Sequence, residues 1–371
     1  MGEPLRIGVV GLGTISGTYL DTLARLPNAT VVAAADRLAE RAESAATQWP
    51  GIQAMSVRRL LTSPSVDLVL NLTVPRAHTA VSLAALRAGK HVYSEKPLAL
   101  SAGAGRRVLE LAERVDRRVG CAPDTILGTG VQTARRALDD GLIGVPFGAV
   151  ATMTLPGHEA WHPAPEFYYQ PGGGPLLDMG PYYLTALVHL LGPIVRVSGA
   201  SRRPSAVRTI ASGPRQGVKI PVAVDTHLTG VLEHASGALT TIVMSFDTWA
   251  ADLPAIEVYG TGGTLSVPDP NHFDGAVRLF EASADSWRTL PPSAGFIAAA
   301  RGYGLADMAD ALEAGRPHRA SGEVAYHVLE TMTAFFRSAR RRQTTTVSSS
   351  CRQPDPVPLA EDPWSRPSRS G

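Results

Sequence analysis

Gly11, Gly13 and Ser16, followed twenty positions later by Asp36, have the types and spacing to hold a dinucleotide. An apolar strand, Leu5 to Val10, runs into Gly11-x-Gly13-x-x-Ser16, and a helical pattern follows with Tyr19, Leu20, Leu23 and Leu26 on one face. Gly11 permits the tight turn, Gly13 lets the backbone approach a pyrophosphate, and the helix N-terminus turns unpaired N–H groups toward the anion. Thr14 and Ile15 complete that loop, and Ser16 is small enough for close helix–strand packing. A second strand, Ala29 to Ala35, ends at Asp36, placed to accept hydrogen bonds from ribose hydroxyls. A carboxylate there repels a 2′-phosphate, which favours NAD over NADP. NADP stays open, because Arg37 follows directly and could pair with such a phosphate; it could equally stack on the adenine or be solvated. The strand–turn–helix–strand–acid context separates this pattern from a chance glycine turn.

Two further segments turn a nucleotide-binding reading into an enzyme reading. In Gly89-Lys90-His91-Val92-Tyr93-Ser94-Glu95-Lys96-Pro97, a lysine at the carboxyl edge of a parallel sheet points toward the nicotinamide crevice. In Gly172-Gly173-Gly174-Pro175-Leu176-Leu177-Asp178-Met179-Gly180-Pro181-Tyr182-Tyr183, a glycine loop feeds a helix, with Pro181 suited to its first turn. Asp178 and Tyr182 are four apart and share a face if the turn is already helical.

The elements that must position these groups are legible along the chain. Strand and helix alternate to about residue 122: the apolar run Val66 to Val74, a helix over His78 to Ala88, a strand His91 to Glu95, a helix Ala102 to Val115 and a strand Arg118 to Ala122. This predicts an α/β, doubly wound parallel Rossmann sheet over residues 1–122, with ligands outside the carboxyl ends of its strands. Leu72, Thr73, Pro75, Glu95, Lys96 and Asp124 fall at or just past such ends, and His78 opens a helix at the cofactor edge. Asp124 reads either as a substrate or nicotinamide neighbour or as a helix cap, and His78 either as a cofactor neighbour or as a satisfied capping histidine.

From residue 123 to 347 the pattern changes. After a helix Gly130 to Asp140 come alternating strands at Phe147–Leu155, Ile194–Arg203, Thr226–Glu233, Ala238–Trp249, Ile256–Val267 and Ala276–Ala282, with hairpin breaks at Ala235-Ser236-Gly237 and Thr261-Gly262-Gly263. Few crossover helices interrupt them, which predicts an α+β domain with an open, mainly antiparallel sheet. One face should carry helices, including Met179–Leu191. The other needs cover, most simply another subunit's sheet, giving a homodimer or homotetramer. Helices near Leu305–Ala314 and Glu323–Arg340 close the body, and residues 348–371, rich in Pro, Ser and charge, predict an irregular or disordered tail.

Composition narrows the classes further. The net charge is +2 with both signs interspersed, so nothing reads as a nucleic-acid stripe; Arg340-Arg341-Arg342 ends a predicted helix, where cations suit the dipole. Two cysteines, Cys121 and Cys351, make no disulfide framework. No signal-peptide pattern and no bilayer-length apolar run is present, so a soluble cytoplasmic protein without a membrane partner is expected.

GLGTIS, AGKHVYSEKPLA and GGGPLLDMGPYY, in that order and spacing, resemble the Gfo/Idh/MocA oxidoreductases: glucose–fructose oxidoreductases, inositol dehydrogenases and related sugar dehydrogenases. The resemblance covers residues 5 to about 345 and is specific for the family, weakly so for substrate. It implies that Lys96 contacts substrate and takes part in proton transfer, that the Lys96–Pro97 bond is cis, and that Asp178 binds substrate hydroxyls. Many members carry a histidine acid/base four residues after that aspartate; this chain has Tyr182. Glucose–fructose oxidoreductases and dihydrodiol dehydrogenases of the family use tyrosine there. Histidine titrates near neutrality and tyrosine does not, so Tyr182 needs cationic neighbours, Lys96 and the oxidised nicotinamide. The plain alternative for Tyr182 is an aromatic packed beside Tyr183.

The reaction then expected is hydride transfer between NAD and a secondary alcohol or ketone on a sugar, sugar derivative or cyclitol. Lys96, Asp178 and Tyr182 hold the substrate, and Tyr182 with Lys96 moves the proton. Trp161 and His162, in the loop PGHEAWHPAPEFYY, are further candidates for lining the pocket, or else packed loop anchors. His158-Glu159-Ala160-Trp161-His162 matches the HExxH zinc pattern literally. Pro156-Gly157 before it and Pro163 and Pro165 after it argue against the uninterrupted helix such a metal needs, so no metal site is expected. Two rival readings are an NAD-dependent glycoside hydrolase or lyase working by transient oxidation, and a nucleotide-binding regulator without chemistry. The presence of Lys96, Asp178 and Tyr182 argues against the regulator.

Overall fold

The computed structural model describes residues 3–364. They form two compact units. The first comprises the chain up to Gly128, Gly295–Leu329 and the segment from Val357; the second comprises Thr129–Ala294 and Glu330–Pro356.

The first unit is built on strands β1 (Leu5–Val10), β2 (Ala29–Ala35), β3 (Gln53–Ala54), β4 (Leu68–Asn71), β5 (His91–Ser94) and β6 (Val119–Cys121), with helices α1 (Ser16–Leu23), α2 (Ala39–Gln48), α3 (Val57–Thr62), α4 (Pro75–Arg87) and α5 (Ala102–Arg114) between them. All pairings are parallel and the order is β3-β2-β1-β4-β5-β6, which reverses direction beside β1. Such a reversal opens a crevice at the strand ends. Leu68–Asn71 are fully buried, which is why this sheet reads as apolar runs rather than alternation. The run Val66–Val74 supplies only those four strand residues; Leu72 N–H donates to Val10 O at 2.8 Å and the chain turns into α4.

A single domain boundary at residue 122 does not survive. Residues 295–329 pack on the first unit, because their apolar positions cover its sheet and helices. Tyr326 joins the hydrophobic cluster that includes Val92, Leu98 and Val108. Asn28 Nδ2 donates to Ala306 O at 3.0 Å and to Asp310 Oδ1 at 2.6 Å. Periodicity shows that these helices are amphipathic, but not which sheet they cover.

The second unit contains α6 (Thr129–Asp139), β7 (Pro146–Thr154), α7 (Pro175–Asp178), α8 (Gly180–Leu191), β8 (Ile194–Arg202), β9 (Val207–Thr209), β10 (Lys219–Pro221), β11 (His227–His234), β12 (Leu239–Ser245), β13 (Ile256–Gly260), β14 (Gly263–Val267), β15 (Val277–Glu281), β16 (Arg288–Leu290) and β17 (Thr345–Thr346). Nine strands form a sheet in the order β16-β15-β14-β13-β7-β12-β11-β8-β17. Every pairing is antiparallel except β7–β12. The sheet is thus mixed and mainly antiparallel. All twelve residues of α8 are buried, as an all-round apolar helix requires. Along β11 and β12, Leu228, Leu232, Ile242 and Met244 are buried while Thr229, Val231, Leu239 and Thr241 face outward.

The strand expected over Ala238–Trp249 stops at Ser245, whose hydroxyl accepts from Asp247 N–H at 3.1 Å and starts a turn. Residues 348–364 carry no helix or extended strand, yet they are tied down rather than disordered. Ser348 and Ser349 N–H donate to the Glu330 carboxylate, Val357 is fully buried, and Ala360 N–H donates to Gly295 O. The rest of the expected tail, 365–371, lies outside the described residues. No helix among the described residues is long and apolar enough to cross a membrane.

Candidate active site

The nucleotide loop is shaped by one close approach and one open side. Gly11 has φ +98°, and a Cβ there would lie 2.7 Å from the backbone of Leu72 and Thr73. Leu72 and Thr73 therefore help to form the site through their backbone, which forces glycine at position 11. Gly13 is exposed, and a Cβ on it would meet no protein atom within 4 Å. Nothing in the protein's own packing demands glycine there, whereas a pyrophosphate lying against the backbone does. Thr14 is exposed, Ile15 is the half-buried N-cap of α1, and Ser16 Oγ donates to Gly13 O at 2.7 Å.

Asp36 closes the loop from the end of β2. Its Oδ2 accepts from Leu12 N–H at 2.7 Å and its Oδ1 from Leu38 N–H at 3.0 Å. Burial opposes the charge, but the N–H groups of Leu38 and Leu12 and the Arg41 guanidinium outweigh it and hold the carboxyl below its usual range. Arg37 is exposed. An open glycine, a helix N-terminus and an ionised carboxylate together fit a dinucleotide, with Gly13, Thr14, Ile15 and Asp36 to hold it.

At the ends of β4 and β5 the side chains serve mostly one another. Buried Asn71 accepts from Thr73 Oγ1 at 2.6 Å and donates to His78 O and Ser82 Oγ. Pro75 opens α4 and is exposed. His78 is fully buried, its ring nitrogens 2.7 Å from Pro97 O and 2.8 Å from Thr73 O. Both edges of the ring are committed to backbone, so His78 ties two loops together rather than touching a cofactor. Glu95 accepts from the Tyr19 hydroxyl and from Lys96 N–H, each at 2.9 Å. This fixes the backbone on which half-buried Lys96 stands, and the Lys96–Pro97 bond is cis.

Asp124 is corrected by the structure. It is fully buried, and its Oδ2 accepts from Gly302 N–H at 2.8 Å and Gly304 N–H at 3.1 Å, capping the helix Tyr303–Glu313. Shut from solvent, with Oδ2 held by those two donors, the side chain serves this helix end rather than a substrate. Burial pushes its carboxyl up, against the pull of Arg301 and the two N–H groups.

In the second unit, the glycine loop folds onto the aromatic segment before it. Gly174 N–H donates to Tyr168 O at 2.7 Å, Gly174 has φ +89°, and a Cβ on Gly173 would collide with the backbone oxygens of Phe167 and Tyr168. Asp178 ends α7, half-buried; Met179 breaks the helix, and Tyr182 lies in the first turn of α8. The two residues therefore belong to consecutive helices rather than one. The tyrosine pair separates cleanly. Tyr183 donates to Asp269 Oδ1 at 3.2 Å, and burial together with that carboxylate drives its hydroxyl far above the usual range, which unsuits it as a base. Tyr182, 5% exposed, is the other.

Trp161 is 61% exposed, and half-buried His162 accepts from Ala164 N–H at 3.0 Å. The HEAWH stretch is a three-residue 3-10 turn, His158–Ala160, and Trp161 has φ −135°, so its two histidines do not lie on one α-helical face.

Against known proteins, residues 5–122 match the model of an oxidoreductase family with an NAD-binding Rossmann fold, and residues 131–266 match the GFO/IDH/MocA C-terminal domain. A dTDP-3,4-didehydro-2,6-dideoxy-alpha-D-glucose 3-reductase of Streptomyces violaceoruber is 30% identical over 78% of this chain and 87% of its own. The chain belongs to the Gfo/Idh/MocA oxidoreductase family. A 1,5-anhydro-D-fructose reductase of Ensifer adhaerens is 28% identical over 93% of this chain and 99% of its own. The structure of levoglucosan dehydrogenase in complex with NADH superposes with a TM-score of 0.78 at 21% identity, covering 93% of this chain and all of that one. The first unit of this Gfo/Idh/MocA member is thus an NAD-binding Rossmann domain.

Within that family frame, two groups of residues escaped the sequence reading. Tyr19 was seen only as a packed face, although its hydroxyl anchors Glu95. In the second unit, the polar residues of the HEAWH turn face inward. His158 Nε2 stands 3.7 Å from Asp178 Oδ2. Glu159 takes hydrogen bonds from Arg208 at 2.9 Å and from the Tyr169 hydroxyl, and Arg208 also pairs with Asp247. Burial and Glu159 drive the Tyr169 hydroxyl well up. The available signal was four ionisable residues, His158, Glu159, His162 and Glu166, within an otherwise aromatic, proline-rich loop.

Proposed function

We propose that this chain interconverts a secondary alcohol and a ketone on a sugar, sugar derivative or cyclitol. The observation that carries the reading is the combination of an NAD-binding unit, with Lys96 at the end of β5, and an Asp178–Tyr182 pair after the glycine loop of the second unit. The reductase names of the two relatives support a carbonyl on a sugar as the reacting group.

NAD, when bound, accepts the carbinol hydride or returns it. The residues do the rest. Lys96 donates to the reacting oxygen, and Asp178 accepts from a neighbouring hydroxyl and fixes the face presented. Tyr182 takes the hydroxyl proton in oxidation and returns it in reduction. A cation on the reacting oxygen favours the phenolate form of the base. Substrate placement and proton transfer are thus separate tasks, given to Asp178 and Tyr182 respectively.

The test is absorbance at 340 nm with NAD or NADP and a panel of sugars and inositols, run beside Lys96→Ala and Tyr182→Phe. NADH formation with one compound, abolished in both variants, supports the reading. Cleavage of a glycoside without net NADH overturns it in favour of transient oxidation. We also propose that a second copy covers the outward face of the nine-stranded sheet, where Val231 and Leu239 are exposed; sedimentation showing a monomer at micromolar concentration would refute this.

A further inference from the structure

The imidazole of His158 has an unusual setting for a loop side chain. Its ring stacks on Tyr168 with centroids 3.6 Å apart and planes 16° from parallel, and Phe246 meets it edge-on at 4.5 Å. Its own backbone is held as well. The His158 N–H donates to the Tyr169 hydroxyl at 3.1 Å, and its carbonyl accepts from Trp161 and His162 N–H. Stacking on Tyr168 and packing beside Phe246 restrict the ring's movement. Its side chain is 7% exposed, and its Nε2 is aimed at Asp178, whose side chain is 21% exposed. The separation of 3.7 Å is longer than a hydrogen bond and within ion-pair reach.

We propose that His158 is a positioning residue for Asp178: stacked on Tyr168 and bordered by Phe246, it presents Nε2 to one carboxylate oxygen and so fixes the orientation in which Asp178 meets the substrate. A partly exposed aspartate at the end of a four-residue helix has more than one staggered rotamer to choose between. Selecting one of them before binding lowers the ordering cost of the complex. The two short glycine contacts to Tyr168 and Phe167 place α7 and the aromatic wall in fixed register, so the His158–Asp178 geometry is set from both sides. The imidazole approaches this carboxylate from the segment that precedes the glycine loop.

The inference rests on the proposed reaction for its kinetic arm alone. Crystal structures of the full chain, wild type and His158→Phe, read the Asp178 conformer directly, with His158→Gln as the variant that keeps an N–H donor. We expect the carboxylate to leave its wild-type position in His158→Phe and to return to within about 0.5 Å of it in His158→Gln. With the sugar that the wild type oxidises, His158→Phe should raise KM about tenfold while kcat stays near wild type, and His158→Gln should recover most of the loss. An unmoved Asp178 in His158→Phe overturns the inference, as does an equal loss in both variants, which marks His158 as packing only. If no sugar in the panel reacts, the functional reading fails while the Asp178 density still decides this one.

Discussion

The two glycine loops of this molecule use the same residue for opposite purposes. In the first unit, Gly13 leaves a surface on which the protein puts nothing, and the acid that serves the loop, Asp36, accepts from the loop's own Leu12 N–H. In the second unit, the space beside Gly173 is filled by the backbone of the aromatic segment and that beside Gly174 by Val224 and Asp225, and the acid that follows, Asp178, faces an imidazole twenty residues upstream. One loop makes room for a ligand's phosphates; the other makes room for a wall that holds a side chain. A glycine run therefore announces close approach, and only its surroundings tell whether the approaching partner is foreign or internal.

The sharpest way to break this comparison is chemical. Tyr182→Phe should cut kcat by about two to four orders of magnitude while NADH affinity, measured by fluorescence, stays unchanged, because the residues that fit the dinucleotide, Gly13, Thr14, Ile15 and Asp36, lie in the first unit. Next come paired substitutions in the nucleotide loop. Gly11→Ala should cost about 3 kcal/mol of stability, since its Cβ has no space and φ is positive. Gly13→Ala should leave the melting temperature in place and weaken NADH binding; an equal fall in melting temperature for both would show that Gly13 is structural too.

Acid offers a third separation. His91 opens β5, the strand that leads to Lys96. Burial, then the charges of Arg117 and Arg118, lower its pKa to about 4, and its Nδ1 accepts from Arg118 N–H at 2.9 Å. A free histidine takes its proton near 6.5, so the folded form binds fewer protons across that interval. Stability should be complete above pH 6.5 and decline by about 2 kcal/mol as the pH falls to 4, a slope that denaturant titration of His91→Asn should flatten. The smallest effect belongs to cofactor choice. Asp36→Ala removes the repulsion of a 2′-phosphate and should move the NAD-to-NADP preference about tenfold toward NADP.

What the sequence made legible follows from distance along the chain. The Rossmann crossing, Gly11 to Asp36, is written in consecutive residues, so strand, turn, helix and acid are all visible together. The cis Lys96–Pro97 bond followed from the resemblance. Asp124 and His78 were ambiguous because a polar residue past a strand end looks the same whether it faces a ligand or a backbone; burial alone decides, and burial there comes from Gly302, Gly304 and Pro97. His158 was hidden for a related reason. It lies in a 3-10 turn with no periodicity, and its partner arrives through an irregular loop.

The first unit is not finished when its last strand is made. Its sheet and helices take their remaining cover from 295–329, and the segment from Val357 pairs with Gly295 and Phe296 beside Leu127. A ribosome that has released only the first 128 residues has therefore delivered a nucleotide fold with part of its apolar surface bare, and a fragment ending at Gly128 should lack a cooperative melting transition. Dinucleotide capture in this chain should therefore require residues 295–329 as well as the first 128.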